Sequence, residues 1–197
     1  TNAKLAQDII SADTALGAEP ADTDELLVSD AGVLKRMDYS YIKGGGISAA
    51  SQWRVTTNFT GDNEPVASNW EEVDAPTSFG VLGSSMTQSS GVFTFPSTGY
   101  WLILYQARLY MNAGDGWAYI TMMTTHNNST YAWASQGVGF ASDGQYDGAS
   151  CSYIFDVTNT TNCKIKFDAH QSNDSNTFQC DTDGFRFGAT FIRLGDT

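Results

Sequence analysis

The sequence predicts an all-β protein, a sandwich or barrel of antiparallel strands. Apolar and polar residues alternate with a period of two along several segments, and turns rich in Gly, Asn and Asp separate these segments. Helical periodicity is almost absent, and the connections are too short for the crossovers of a parallel sheet. With 41% hydrophobic and 13% aromatic residues, the chain of 197 residues has enough apolar material for a sizeable core.

The N-terminal segment is predicted to be a unit of its own. Two short apolar runs, 25–29 and 33–37, flank a turn that contains glycine, which predicts a β-hairpin. A two-stranded hairpin alone is marginal in water, so we expect it to need its own copies or another protein as a partner. The glycine run 44–46 is the predicted joint. Residues 1–46 are therefore an attachment or oligomerisation segment, and residues 47–197 form the head domain.

Two neighbouring segments of the head have one apolar and one polar face. Alternate residues are apolar in 149–157 and again in 163–170, and a short polar stretch separates the two. We expect them to form an antiparallel hairpin with Val157 opposite Cys163. Further strands are predicted at 52–59, 77–82, 91–95, 100–111, 117–125, 131–138 and 185–194.

The strand 100–111 is apolar on both faces at its start, and the last strand, 185–194, behaves in the same way. A strand that is apolar on both faces is covered on both. In a two-sheet domain without helices, the simplest second cover is another subunit, which we favour over a covering loop such as 61–76. The predicted subunit interface consists of five residues: Tyr100, Leu102, Leu104, Ile192 and Leu194.

The chain carries a formal net charge of −12, from 10 basic and 22 acidic residues. Such a surface repels phosphate, and no cluster of Lys or Arg offsets it, so nucleic acid is excluded as a partner. The same charge disfavours an anionic membrane surface. No stretch approaches the ~18 consecutive apolar residues of a membrane span, so membrane insertion is not expected.

No catalytic motif is evident in the sequence. His126 and His170 are predicted at a strand end and on a solvated strand face, where histidines are ordinary surface residues. Glu71 and Asp74 follow Trp70, a combination that in a glycosidase would place paired carboxylates beside a sugar-stacking ring. A solvated acidic loop is the favoured interpretation, and we predict a protein without enzymatic activity.

Acidic turns are the candidates for a metal site. The run 181–184, Asp-Thr-Asp-Gly, shares the spacing at the start of a calcium loop but lacks the downstream Glu of an EF-hand. The turn 143–148 has a similar character. Ordinary turn aspartates are the favoured interpretation of Asp181 and Asp183. We therefore predict no cofactor, with calcium as the alternative.

The cysteines and the N-terminus bear on where the chain is made. Three cysteines, an odd number without a Cys-x-x-Cys spacing, are predicted to be free thiols. Free thiols favour synthesis in a reducing compartment. Residues 1–8 lack the charged stretch and apolar run of a secretion signal, so we expect no such signal there.

Loops rich in Asn, Ser, Tyr and Trp are the candidate receptor contacts. Short polar side chains beside aromatic rings suit polar or sugar ligands, although most such loops simply connect strands. The candidate contact residues are Trp117, Asn127, Asn128, Tyr131, Asn173 and Asn176.

The segment 91–103, Gly-Val-Phe-Thr-Phe-Pro-Ser-Thr-Gly-Tyr-Trp-Leu-Ile, resembles the signature of the complement globular-head and tumour necrosis factor superfamily. In that signature, a Phe-x-x-Pro-x-x-Gly-x-Tyr-like stretch leads into a central strand. The closing stretch 187–194 is similar to the final strand of the family, and the resemblance covers 47–197. It implies an antiparallel jelly-roll β-sandwich of about ten strands, which assembles as a compact trimer through one aromatic and aliphatic sheet face.

A second resemblance lies in residues 15–37, which look like a segment of bacteriophage tail-fibre and other appendage proteins. Together, the two resemblances imply a structural protein of a virion: a homotrimeric fibre or tip protein whose head binds a host-cell receptor, with surface glycan as one class of receptor. Residues 1–46 would bind other tail or capsid proteins, and assembly would take place in the host cytoplasm. The alternatives are a secreted or cell-surface trimeric binding module of the same fold and a glycan-degrading tip.

Overall fold

The computed structural model describes residues 17–18, 20–42, 46–74, 76, 80–112 and 114–197. By its internal contacts, the chain divides into two compact units, Thr1–Gly45 and Gly46–Thr197. The division falls in the glycine run of the sequence. Residues 44–45 of that run and the preceding Lys43 lie outside the described residues, as does the part 77–79 of the predicted strand 77–82.

The regular elements of the described residues are all β-strands except for one short 3-10 turn, which confirms the predicted fold class. The smaller unit contains β1 (Glu25–Asp30), β2 (Val33–Asp38) and a short 3-10 turn (Tyr39–Tyr41). The strands of the larger unit are β3 (Ala50–Val55), β4 (Phe59–Thr60), β5 (Trp70–Glu72), β6 (Thr87–Ser89), β7 (Val92–Thr94), β8 (Gly99–Tyr110), β9 (Gly116–Thr125), β10 (Ala132–Ala141), β11 (Tyr146–Val157), β12 (Lys164–Gln171), β13 (Thr177–Gln179) and β14 (Gly188–Gly195).

The two strands of the smaller unit form the predicted antiparallel hairpin. Its turn consists of Ala31 and Gly32, whose φ angles are both positive (47° and 83°), as the type I′ turns of tight hairpins require. Successive residues of a strand point to opposite faces, and both faces of this hairpin carry apolar side chains. The exposed ones are Leu26, Leu27, Val33 and Leu34.

The larger unit is a sandwich of two antiparallel sheets. Counted over the residues that the structure describes, one sheet has five strands in the order β10-β9-β12-β7-β6. The other has seven strands: the order β4-β13-β8-β14-β3-β5, with β11 on the second edge of β8. Strands that follow each other in sequence repeatedly lie in different sheets, which is the connectivity of a jelly roll. The predicted jelly-roll sandwich is confirmed.

The predicted hairpin between 149–157 and 163–170 is wrong. β11 pairs with β8, where Cys151 lies opposite Tyr105, whereas β12 pairs with β9 and β7 in the other sheet. The short loop between them therefore crosses from one sheet to the other. Alternation identifies the buried face of each strand correctly. The buried face of β11 and that of β12 line the same core, but from opposite sheets. A hairpin and a crossing thus share one sequence pattern.

Aromatic rings fill the space between the two sheets. The odd-numbered positions of β8 point inward, and Ile103 and Tyr105 are fully buried. Phe93 lies edge-on to Trp70, with ring centroids 5.0 Å apart, and edge-on to Phe167 at 5.4 Å. Edge-to-face contact is a preferred arrangement of aromatic pairs, because the positive ring edge meets the negative face.

Backbone geometry requires two glycines of the motif 91–103. Gly91 has a φ of 77°, and a Cβ there would lie 2.3 Å from the carbonyl oxygen of Val66. Gly99 has a φ of 133°, and a Cβ there would lie 2.3 Å from the carbonyl oxygen of Gly195. Only glycine tolerates both the positive φ and the close approach. The motif therefore fixes how β8 begins beside β14.

Candidate functional site

The five predicted interface residues lie on one surface, the outer face of the seven-stranded sheet. Because the odd positions of β8 face the core, Tyr100, Leu102 and Leu104 face away from it. The side chain of Leu104 is 41% exposed. Ile192 lies opposite Leu102 in the register of β14 and β8, and Leu194 is exposed near the end of β14.

An apolar row crosses this face from strand to strand. Ile154 of β11 lies opposite Leu102 of β8, which is flanked on its other side by Ile192 of β14. Ile192 in turn lies opposite Ala50 of β3, and Leu82 forms a bridge to Ala50. The sequence analysis missed Ile154, because it is an apolar residue among the polar positions of its strand. The surface is therefore larger than predicted.

The loop 61–76, considered as an alternative cover, takes another path. Asn63 pairs with Ala169, and the backbone N–H of Val66 donates a hydrogen bond to the carbonyl oxygen of Phe167 at 2.8 Å. This part of the loop therefore follows β12 in the five-stranded sheet. The described residues of a single chain therefore leave the side chain of Leu104 partly exposed.

The predicted receptor contacts are divided between the two ends of β9. Trp117 and Asn173 lie at one end, where the backbone of Trp117 hydrogen-bonds the segment after β12. Asn127, Asn128 and Tyr131 lie in the loop after the other end. Ten residues of β9 separate the two groups by roughly 30 Å at ~3.3 Å per residue. These loops do not form one continuous contact surface.

Two of the predicted contact residues hold loops together instead. Asn176 is only 2% exposed, and its Oδ1 accepts a hydrogen bond from the backbone N–H of Asn112 at 3.0 Å. This corrects the prediction for Asn176, which is not available to a receptor. Asn127 is exposed, but its Oδ1 accepts backbone hydrogen bonds from Ser129 (3.0 Å) and Thr130 (2.8 Å), as Asn side chains in turns commonly do.

The acidic residues after Trp70 bind a buried arginine. Arg54 is buried, and its guanidinium lies 3.1 Å from Glu71 Oε2 and 2.5 Å from Asp74 Oδ1. Trp70 is buried as well, and its indole N–H donates to the carbonyl oxygen of Val66 at 2.7 Å. The ring is therefore not offered to a sugar. The run is more than a solvated acidic loop, since it neutralises Arg54, and it does not form the carboxylate pair of a glycosidase.

The carboxylate of Asp181 is already occupied. Its Oδ1 accepts backbone hydrogen bonds from Asp183 (2.9 Å) and Gly184 (3.1 Å), and Oδ2 lies 2.9 Å from Arg186. The hydrogen bond from the backbone of Asp183, followed by that from Gly184, lowers the pKa of Asp181. In the described part of the chain, no third His, Cys, Asp or Glu side chain groups with Asp181 and Asp183. These contacts are those of an Asx turn.

His170 lies on the outer face of the five-stranded sheet, on the strand face predicted to be solvated. Its Nδ1 lies 2.9 Å from Glu64 Oε1 and 3.5 Å from Asp62 Oδ2. These three side chains could together hold a metal ion, but their contacts with one another already account for the grouping. The ring of Tyr119 stacks on the imidazole, with centroids 4.4 Å apart. The two carboxylates thus orient the imidazole beneath Tyr119.

A shallow cavity of about 250 Å³ opens beside this stack. Three strands contribute its floor, because Asp168 of β12 lies opposite Thr121 of β9, which lies opposite Gln136 of β10. Tyr119 and Trp133 are among its walls. The sequence analysis did not single out any of these five residues. The available signal was an aromatic residue, Tyr119, at an outward position of β9, where a polar residue is usual.

These features define the fold as a jelly-roll β-sandwich of the kind seen in tumour necrosis factor proteins. Solved structures similar to the chain include APRIL from mouse, with a TM-score of 0.54, 9% identity, and coverage of 74% of this chain and 98% of that one. Eiger tumour necrosis factor from S. frugiperda gives a TM-score of 0.56, 9% identity, and coverage of 77% and 96%. The globular domain of zebrafish complement 1qA has a TM-score of 0.45 and 13% identity, and the match covers 76% of this chain and 99% of that one.

The likeness to these structures concerns the fold. No family model matches the sequence, and no curated protein matches it. Within the described residues, no helix reaches the length and apolar character that crossing a membrane demands. The particular role of this chain is therefore argued below from its own surfaces.

Proposed function

We propose that the chain is the subunit of a homotrimeric, non-enzymatic fibre or tip protein of a bacteriophage virion. Residues 47–197 are its receptor-binding head, and residues 1–46 attach it to other tail or capsid proteins. The observation that carries the trimer is the uncovered apolar outer face of the seven-stranded sheet. Large exposed apolar patches rimmed by polar residues mark interfaces, and here the patch spans neighbouring strands of one sheet.

The geometry of this face suits a closed ring of three copies. β8 lies one strand in from the edge of the sheet, with β11 on one side and β14 on the other. The apolar row runs across these strands, so each copy can contribute side chains from several strands. Head-to-tail contacts between copies form a closed ring when the rotation from one copy to the next is a whole fraction of a full turn. The fold shared with Eiger tumour necrosis factor supports a trimeric arrangement.

The hairpin of the N-terminal segment supports an attachment role. Apolar side chains such as Leu27 and Leu34 are exposed on it, and a hairpin of this size is marginal without a partner. Other virion proteins or further copies would cover these side chains. The resemblance of residues 15–37 to appendage proteins, combined with a jelly-roll head, supports the virion. All three cysteines are free thiols, which suits assembly in a reducing host cytoplasm.

A trimeric binding module outside any virion is the second candidate. The likeness to APRIL and Eiger tumour necrosis factor favours it, because it extends over 98% and 96% of those chains. Both candidates share the trimer and differ in what the N-terminal segment binds. An antibody against the chain distinguishes them, since it labels one end of purified phage particles only if the chain is a virion component.

Native mass spectrometry of the full chain tests the trimer directly. We expect a particle with the mass of three copies of the 21.3 kDa chain, stable on dilution to nanomolar concentration. A stable particle with the mass of one copy would overturn the trimer. Absence of antibody label from purified virions would overturn the virion role and leave the trimeric module in place.

A further inference from the structure

The cavity on the five-stranded sheet lies on the opposite side of the sandwich from the proposed trimer interface, so trimer formation leaves it open. Side chains two residues apart on one strand face are about 7 Å apart. Thr121 is a short side chain between two larger outward residues of β9, Tyr119 and Met123. Trp133 lies opposite Met123 in the neighbouring strand. A slot therefore opens above Thr121, between Tyr119 and Trp133.

One wall of this slot, Trp133, offers an exposed aromatic ring face, and the other wall is Tyr119. Trp133 is 64% exposed, and the register of β10 shifts immediately after it. Such bulges re-aim side chains and are over-represented beside functional sites. On the other wall, Tyr119 is held between the imidazole of His170 at 4.4 Å and the indole of Trp117 at 5.3 Å, both in stacked geometry. The stack restrains Tyr119, so this wall is rigid.

The floor carries an unpaired acceptor. Asp168 is only 6% exposed, and its Oδ1 has no hydrogen-bond partner among the described residues. A buried carboxylate oxygen without a donor costs free energy. Rotation of the Asp168 carboxylate into the slot would expose Oδ1 to a ligand hydroxyl, and that hydrogen bond would recover the cost. Gln136 Nε2 lies 3.4 Å from Thr121 Oγ1, a long contact that leaves the amide able to turn toward a ligand. The floor therefore offers both an acceptor and a donor.

The charges around the slot limit which ligands fit. Asp168 lies in the floor, and Asp62 and Glu64 lie behind His170. The nearby cation Lys166 lies over the ring of Tyr131, 5.0 Å from its centroid. The surroundings are therefore acidic overall, like the chain as a whole. Ligands with a carboxylate of their own, such as uronic or sialic acids, are repelled.

We infer that this slot binds one neutral pyranose unit of a glycan. The apolar C–H face of the sugar packs on an aromatic wall, and a hydroxyl donates to Asp168 Oδ1. A volume of about 250 Å³ is below the roughly 300–1,000 Å³ of pockets for drug-sized ligands, which suits a single ring. The inference rests on the proposed function of the head as a receptor-binding domain and gives it a ligand class.

Saturation-transfer NMR on the full chain tests the slot with a panel of probes. The probes are the methyl pyranosides of glucose, galactose, mannose, rhamnose and N-acetylglucosamine, with methyl glucuronide as the anionic comparison. We expect at least one neutral probe to bind and the glucuronide not to. Failure of every neutral probe, or preference for the glucuronide, would overturn the inference. Detection only at molar sugar, without saturation, counts as failure.

Two variants locate the binding. Trp133→Ala and Asp168→Asn should each weaken the neutral probe by about tenfold or more, as loss of a central contact does. Their matched controls are Phe140→Ala, an aromatic residue 67% exposed on the same strand, and Asp174→Asn, an exposed carboxylate of the loop after β12. The controls should keep binding within about twofold. Since Trp133 is largely exposed, its variant decides the outcome whatever Asp168→Asn does to stability.

Binding of the fluorescent chain to host bacteria separates this inference from the proposed function. If the chain binds cells and Trp133→Ala binds them equally well, the slot is not the receptor site and the head retains its role. If the neutral probe binds the slot but the chain binds no cells, the receptor-binding role fails and the sugar site stands. Loss of both probe and cell binding in Trp133→Ala supports the two together.

Discussion

Ile192 lies directly opposite Leu102 in the antiparallel register of β14 and β8, and both side chains face away from the core. The residues on either side of Leu102, Trp101 and Ile103, are buried between the sheets. One strand thus supplies the centre of the core with one face and the centre of the apolar row with the other. Substitutions on the outer face can therefore test assembly without disturbing the packing of the core.

Leu104→Lys should convert the trimer into monomer. Leu104 is accessible in the single chain but becomes desolvated when copies pack on this face, and a buried lysine without a partner costs several kcal/mol. Because the substitution repeats in each copy, the cost applies at every interface. Light scattering on the purified variant measures the mass, and a particle of three copies would contradict the interface.

Val138→Lys is the matched control for this substitution. Val138 is 51% exposed on the outer face of the five-stranded sheet, away from the proposed interface. An exposed lysine there should change stability by no more than about 0.5 kcal/mol and leave the mass unchanged. If both variants dissociate equally, charge repulsion rather than a specific face explains the result.

Removing the carboxylate partners of the buried Arg54 should lower stability more than removing Arg54 itself. The double variant Glu71→Gln with Asp74→Asn leaves Arg54 buried without its two carboxylate partners and with only the more distant charge of Asp181, which should lower the free energy of unfolding by about 3 kcal/mol. Arg54→Met removes the buried charge itself, so we expect a smaller loss of about 1 kcal/mol. Urea denaturation measures both. The reverse order would show that the carboxylates do not stabilise Arg54.

The aromatic core predicts a large effect of truncation at Phe167. Its ring is fully buried and touches those of Phe93 and Tyr105, with centroids 5.4 Å and 4.6 Å away. Phe167→Ala should lower the free energy of unfolding by about 3–5 kcal/mol, through lost burial and the cavity left behind. Phe140→Ala removes the same ring from an exposed site. A loss of similar size in both variants would contradict the core assignment.

The sequence analysis predicted those strands correctly whose own residues show a clear alternation of apolar and polar positions. The alternation of 100–111 defines both faces of β8, and two glycines of the motif 91–103 match positive φ angles. It misassigned the pairing of β11 and β12, because alternation reports which face is buried and not which strand lies alongside. It missed β5, β6 and β13, which have three residues each, too few to show a period.

The candidate sites show the same limit. The outer face of β8 could be predicted, since its residues follow one another in sequence. The sugar slot could not, because Tyr119, Trp133 and Asp168 lie on three strands and meet only through the observed register. Asn176 was mistaken for an exposed loop residue, since sequence does not show that its side chain turns inward to Asn112.

A half-buried thiol, Cys151, and a buried one, Cys180, predict how stability changes at alkaline pH. Burial raises the pKa of Cys151 to about 11 and that of Cys180 to about 12. In the unfolded chain both ionise near the ordinary 8.5–9, so the unfolded state loses protons first. Stability is therefore complete below about pH 8.5 and falls as the pH rises toward 11, by up to about 1.4 kcal/mol per pH unit for each thiol.

Urea denaturation between pH 8 and 10 measures this dependence. Substituting Ala for Cys151 and Cys180 together should flatten the slope in that range, because the unfolded state then gains nothing from these two ionisations. Burial also raises the pKa of Tyr105, and tyrosine in the unfolded chain ionises near pH 10. Because Tyr105 is present in both proteins, the difference between their slopes reports the thiols. An unchanged slope in the double variant would contradict the assignment to these thiols.

Asp168 should lower the stability of the fold while it contributes to sugar binding in the slot. Burial raises the pKa of Asp168, and Glu64 adds to this effect while Lys166 and His170 oppose it. The folded state thus holds the proton of Asp168 more tightly than the unfolded state, so ionisation at neutral pH opposes folding. Asp168→Asn should therefore be more stable than the natural chain at pH 7, although it binds sugar less well.

The pH dependence of that difference identifies its cause. As the pH falls through the raised pKa of Asp168, the natural carboxyl takes up its proton, and the advantage of Asp168→Asn should shrink. Asp174→Asn, which changes an exposed carboxylate, is the comparison variant in the same series. Urea denaturation at a series of pH values from 7 to 3 provides the measurement. A variant that is less stable than the natural chain at pH 7 would mean that Asp168 already has a stabilising partner, and the slot would then have no unpaired acceptor to offer a sugar.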